Sequence, residues 1–176
     1  WQTRSDYYTM IEQIYNEPDD VSVRSHMDKF WESWQELSIN PESKASRQAV
    51  VTRAETLTES IKQRWERLAG IANLLEGDIE ATVKQVNCLS KQIANVNAEI
   101  VRSRAMGDNP NDLLDRRDLL VDKLSKLVNV STDQRDGDEF MVHVDGKILV
   151  QGGISREIEL QHSYDDTGYS KLVWAD

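Results

Sequence analysis

A chain of 176 residues is long enough for one ordinary domain, or for one domain and the start of a second, and it can bury a core without disulfide or metal staples. With 21 Lys and Arg against 31 Asp and Glu the formal charge is -10, so its average face would repel a phosphate backbone or an anionic lipid surface, and neither nucleic acid nor membrane is an expected partner. A single cysteine, Cys88, excludes an intrachain disulfide framework and a cysteine metal site; no apolar run approaches bilayer length, and the first residues carry no basic-then-apolar signal.

The first expected helix runs from about Trp1 to Tyr15, with Tyr7, Ile11 and Ile14 at helical spacing. It opens without a capping residue, which points to a helix begun upstream and to a chain that is a piece of something longer. Pro18, Asp19 and Asp20 break it into a short linker. A second helix follows, with Ser22 or Ser25 able to accept the unpaired N–H groups of its first turn. Its stripe of Met27, Phe30, Trp31, Trp34 and Leu37 predicts a heavily packed aromatic seam.

Asn40 is placed to cap a third helix and Pro41 suits its first position, where a missing N–H costs nothing. From there no proline occurs until Pro110, and apolar residues recur in steps of three and four through Val50, Ala54, Leu57, Ile61, Trp65 and Leu68, then Ala72, Leu75, Ile79 and Val83, then Val86, Leu89, Ile93, Val96 and Ile100. A mean step of about 3.6 predicts one helix with one buried stripe from roughly Pro41 to Arg104. At about 1.5 Å per residue such a rod is roughly 90 Å long and needs partners along its length. Gly70 and Gly77 predict a bend, or a place where another backbone comes close.

Met106 to Asn111 reads as a turn, with Asn111 placed to cap a helix from Asp112 to about Lys126. Its stripe is Leu113, Leu120, Leu124 and Leu127, and so short a connection makes it an antiparallel neighbour of the rod. Beyond Leu127 the period becomes alternating through Val128, Val130, Phe140, Val142, Val144, Ile148, Val150, Ile158 and Leu160. Turns at Asp136-Gly137, Asp145-Gly146 and Thr167-Gly168 complete a meander of short antiparallel strands, and Leu172, Val173 and Trp174 belong to a sheet expected to continue downstream. The expected fold is mainly α with a small antiparallel β module. It is an elongated helical hairpin or bundle built on one long helix, with a helical domain over 1–127 and the β module over 128–176.

Asp112, Asp115, Asp118 and Asp122 lie along one helix face and could in principle hold a divalent cation. The same residues complement the helix dipole and pair with Arg116 and Lys126 at i,i+4, which makes them a solvated face; no metal or other cofactor is expected. Arg117 falls on the apolar stripe between Leu113 and Leu120. Facing the rod, it needs a carboxylate or several carbonyls, and its expected role is structural and register-fixing. His26, His143 and His162 show no metal-ligand spacing, and Asp133 to Glu139 lacks the spacing of a calcium loop. Cys88 has no acid–base partner at helical spacing, and neither a phosphate-binding glycine loop nor a nucleophile elbow occurs. Trp34 and Trp65, at helical spacing, are expected in the core. These residues describe a non-enzymatic helical protein that packs against copies of itself or close relatives. A secreted surface-binding module with a helical stalk, and a hydrolase using the aspartate face, are the rival readings.

The run GDNPNDLLDRRDLLVDKLSKLVNV from Gly107 resembles the signature of the flagellar hook-associated protein 1 family. The residues that carry it are Gly107, Pro110 to Asp115, Arg117, Asp118, Leu119 to Val121, Leu124 and Ser125, with Asp136-Gly137 and Gly146 to Val150 beyond. MDKFWESWQELSINP from Met27, with Arg47, and VNCLSKQIANVNAEI from Val86 are similar to the family's short aromatic helix, Asn-Pro break and long helix. The resemblance covers nearly the whole chain. It implies the outer, well-ordered portion of such a protein, without the terminal helices that build the inner tube, and with 128–176 as the start of an inserted outer domain. It further implies a structural component of the bacterial flagellum, joining hook to filament and giving flagellin a surface to grow on. Such a component leaves the cell without a cleaved signal, to the exterior or a periplasm. The implied partners are copies of itself, the hook protein, the second junction protein and an export chaperone at the missing C-terminus. Asn111, Asp112, Leu113, Asp115, Arg117 and Asp118 are implied to hold the helix hairpin and β module in one geometry, with no catalytic role.

Overall fold

Helical periodicity gives way to alternation close to where the composition changes, and the computed structural model, which describes residues 2–15, 22–135, 139–161 and 170–175, follows that change. The helices are α1 Gln2–Tyr15, α2 Val23–Ile39, α3 Lys44–Ala105 and α4 Asn111–Ser125, and the strands are β1 Val130–Arg135, β2 Glu139–Val144, β3 Lys147–Gln151, β4 Ile154–Ser155, β5 Ile158–Gln161 and β6 Lys171–Trp174. The expected linker at Pro18 to Asp20, the turns at Asp136-Gly137 and Thr167-Gly168, and His162 lie outside the described residues.

Helix starts depend on which side chain reaches the free N–H groups. Ser22 caps α2 by accepting from Ser25 N at 3.1 Å. The start of α3 corrects the expectation at Asn40 and Pro41: Ser43 is the cap, its Oγ accepting from Ser46 N at 3.2 Å. Asn40 instead closes α2 through its backbone N–H to Glu36 O, and Pro41 sits in the turn between the helices. There its carbonyl accepts from Arg47 Nε and Nη2 at 3.0 and 2.8 Å. Asn111 is likewise not a side-chain cap. It is the first residue of α4, which begins on the Pro110 carbonyl, the acceptor for Leu113 N and Leu114 N at 3.2 and 3.1 Å.

α3 runs unbroken for 62 residues. Neither Gly70 nor Gly77 has anything within 4 Å of where a Cβ would stand, so no close backbone approach explains them. A helix interior tolerates each glycine at a cost of about 1 kcal/mol, which the flanking turns of so long a helix absorb.

The chain divides into two compact units, Trp1–Leu75 and Glu76–Asp176, with the division inside α3. In the second unit the strands pack onto α3 and α4, so that Val86, Ile93, Val96 and Ile100, Leu120 and Leu124, and Phe140, Val142, Leu149 and Val150 share one buried cluster.

In the first unit the expected aromatic seam is largely open. Trp31, Trp34 and Trp65 are 62, 47 and 68% exposed, so the placing of Trp34 and Trp65 in the core is corrected. Helical spacing puts them on apolar faces, but it does not supply an element opposite to cover those faces. Ile14, Val50, Ser33 and Ser46 are buried, while Ile61, Leu74 and Leu75 are exposed.

In the second unit β1-β2-β3-β4 form an antiparallel meander and β5-β6 a separate pair. The β2–β3 turn is Asp145-Gly146 with φ of 51° and 74°, the double left-handed geometry of a tight hairpin whose twist matches its strands. Gly153 follows β3, and a Cβ there would lie 3.3 Å from Ala98 Cβ and 3.8 Å from Ala94 O, so small residues on both sides seat this turn against α3.

Candidate functional site

The motif residues on α4 divide into a buried and a solvent face. Leu113, Arg117, Leu120 and Leu124 follow the i, i+4, i+7, i+11 spacing that keeps one side of a helix inward. Leu124 is fully buried and Leu113 packs against the same cluster. Asn111, Asp112, Asp115 and Asp118 are exposed. Among the described residues no group of three or more His, Cys, Asp or Glu lies close enough to hold a metal ion. The i,i+4 pairs expected from Asp112 to Arg116 and from Asp122 to Lys126 do not close within 4 Å among the described residues. Exposed pairs on long side chains gain only about 0–1 kcal/mol and are easily given up to water.

Arg117 is only 8% exposed. Its guanidinium carbon stands 3.9 Å from the centroid of the Phe140 ring on β2, and its Nε is 3.8 Å from Asp118 Oδ1. The ring's negative face attracts the cation while the flat guanidinium stacks on it, a partner type that the sequence did not suggest. The aliphatic stem fills the gap in the leucine stripe. Of the six motif residues the structure thus turns Leu113 and Arg117 inward, Arg117 onto the sheet, and leaves Asn111, Asp112, Asp115 and Asp118 facing solvent, Asp118 beside the Arg117 guanidinium.

Two asparagines that were not singled out bind the strands to α3. Asn87 Nδ2 donates to Ile158 O at 2.8 Å while its Oδ1 accepts from Ile158 N at 2.9 Å. Asn97, 3% exposed, donates from Nδ2 to Gly152 O at 2.8 Å. Buried Ser90 lies between them and returns its hydroxyl to Asn87 O at 2.9 Å. Asn87, Ser90, Ala94 and Asn97 therefore form a second inward row beside Val86, Ile93, Val96 and Ile100, and α3 buries a broader face than one stripe. The available signal was asparagine inside a strongly helical run, because Asn is a poor helix former unless its amide is used.

Cys88 is exposed, with its Sγ accepting from Gln92 Nε2 at 3.2 Å. The first unit carries an open groove of ≈ 570 Å³ lined by Phe30, Trp34, Val50, Val51 and Ala54 and edged by Glu55 and Glu59. No helix among the described residues is long and apolar enough to cross a membrane.

Residues 8–176 match the family model of the flagellar hook-associated protein FlgK helical domain. The chain is 30% identical over 152 residues to flagellar hook-associated protein 1 of Bacillus subtilis, covering 86% of this chain and 30% of that protein. It is 34% identical over 158 residues to flagellar hook-associated protein 1 of Salmonella typhimurium, covering 88% and 29%. A solved structure, that of the flagellar hook junction protein FlgK from Burkholderia pseudomallei, superposes with a TM-score of 0.83 at 27% identity over 97% of this chain and 30% of that one. The chain thus spans about 30% of the length of the relatives it matches.

Proposed function

The chain belongs to the family of the flagellar hook-associated protein FlgK helical domain, and from that membership we propose that it is a structural part of the bacterial flagellum, joining hook to filament and presenting the platform on which the filament assembles. The observation that carries this reading is the match of residues 8–176 to the helical domain of a flagellar hook-associated protein, beside the likeness in fold to a solved flagellar hook junction protein. The part is mechanical, not catalytic. It works outside the cytoplasm, on an exported axial structure, beside the hook protein and a second junction protein, with copies of itself as lateral neighbours and an export chaperone engaging another part of the full-length protein.

The open apolar faces of the first unit supply the contact surface. Trp31, Trp34, Trp65, Ile61 and Leu74 are exposed, and large apolar side chains of this kind are what an association surface would bury. Arg117, seated on Phe140, and Leu113 hold α4 against the sheet, and Asp118 supports the guanidinium from the solvent side. Residues 128–176 are the base from which an outer domain projects.

Deleting the full-length gene is expected to leave hooks without attached filaments, and restoring it to return them. Filaments still growing on such hooks would refute the assignment.

A further inference from the structure

β5 has two edges, and among the described residues only one of them meets a strand. On that side it pairs with β6 in the register Ile158↔Trp174 to Gln161↔Lys171, and Glu157 O extends the ladder by accepting from Ala175 N at 2.9 Å. Backbone groups of successive residues in an antiparallel strand point to opposite edges. Ile158, one residue after Glu157, therefore turns its N–H and C=O away from β6. Both meet the Asn87 carboxamide, at 2.9 and 2.8 Å. A carboxamide carries the donor and acceptor of a peptide group, so this one side chain on α3 presents what a residue of a neighbouring strand would present.

The ribbon needs such help. A two-stranded ribbon is marginal in water, and no described residue of β5 or β6 is fully buried, whereas Met141, Val142, Leu149 and Val150 of the four-stranded sheet are 0–1% exposed. Ile158 and Trp174, partly buried, pack against the core cluster, and two further polar contacts run from α3 to the ends of the ribbon: exposed Lys91 Nζ with Glu157 Oε1, and Glu76 Oε1 accepting from Ser170 Oγ. We propose that Asn87 is a surrogate third strand that templates the β5–β6 ribbon on α3, so that the ribbon forms and opens as a unit governed by this side chain, separately from the four-stranded sheet.

Hydrogen–deuterium exchange on the 176-residue chain tests this with three variants. Asn87→Leu removes both bonds and is expected to raise exchange in 158–161 and 171–174 by about tenfold or more, leaving 139–151 within about twofold, since each part-buried peptide group left without its partner is costly while the meander keeps its own core. Asn87→Asp keeps the acceptor for Ile158 N–H but faces its carbonyl with no donor, and is expected to fall between wild type and Asn87→Leu. Lys91→Ala breaks only the ion pair and is expected to change ribbon exchange by less than about threefold. Unchanged ribbon protection in Asn87→Leu, equal acceleration of both sheets in Asn87→Leu or Asn87→Asp, or a Lys91→Ala effect as large as that of Asn87→Leu, would each overturn the proposal.

Discussion

Arg117→Leu tests whether a buried cation fastens α4 to the sheet or is merely tolerated there. The guanidinium lies 3.9 Å from the Phe140 centroid and is 8% exposed, so its ring contact is largely desolvated and is worth about 1–2 kcal/mol. Asp118, whose side chain is 71% exposed, adds little, about 0–0.5 kcal/mol after screening. Against these stands the cost of keeping a charge out of water, which Leu would relieve. Leu is also shorter than the stem it replaces, leaving a void beneath Leu120 and Leu124, and such voids add to the loss. The balance is a destabilisation of about 1–2 kcal/mol, or roughly 2–8 °C in Tm for a chain of this size. A double-mutant cycle in urea with Phe140→Leu isolates the contact, and a coupling of about 1 kcal/mol is expected. If Arg117→Leu melts like wild type and the coupling stays below about 0.3 kcal/mol, the ring contact does not outweigh desolvation and Arg117 is no fastening.

Gly77→Ala and Gly70→Ala fill open space in a helix interior and are each expected to stabilise by about 0.5–1 kcal/mol; a lower urea midpoint in either would mean that the glycine is used in a contact this chain alone does not show. Gly146→Ala places a Cβ at φ 74° in the β2–β3 turn and should cost about 1–2 kcal/mol, read as a lower melting temperature. Leu124→Ala, at a fully buried position, should lose about 2–5 kcal/mol, whereas Trp65→Ala, at a side chain 68% exposed, should stay within about 0.5 kcal/mol in the isolated chain. If Trp65 lies on an assembly surface, Trp65→Ala in the full-length protein reduces filament attachment without lowering the yield of folded protein; unaffected attachment would remove it from that surface.

Local rules made much of this molecule readable. A 3.6-residue apolar period without proline reports a helix whatever lies outside it, which is why α3 could be traced over almost its full length before any contact was known. Asp145-Gly146 names its own turn because few residues accept two successive left-handed conformations. The motif from Gly107 was legible for the same reason, since its residues are close in sequence and their spacing assigns Arg117 to the leucine face.

What surrounds a face is not written in that face. One apolar stripe on α3 is buried at Val86, Ile93, Val96 and Ile100, where strands and α4 pack on it, and exposed at Ile61, Trp65 and Leu75. The ring under Arg117 comes from β2, and the peptide groups that employ Asn87 and Asn97 come from residues 71 and 55 positions further along, a pairing that no helical period encodes. Even the caps followed this division: Ser43, rather than Asn40, starts α3 because the turn at Pro41, held by Arg47, sets which hydroxyl reaches the first free N–H groups. Backbone propensity and period act within a few residues and survive in one dimension, whereas burial and hydrogen-bond partnership depend on which distant segment arrives opposite, and only the folded chain determines that.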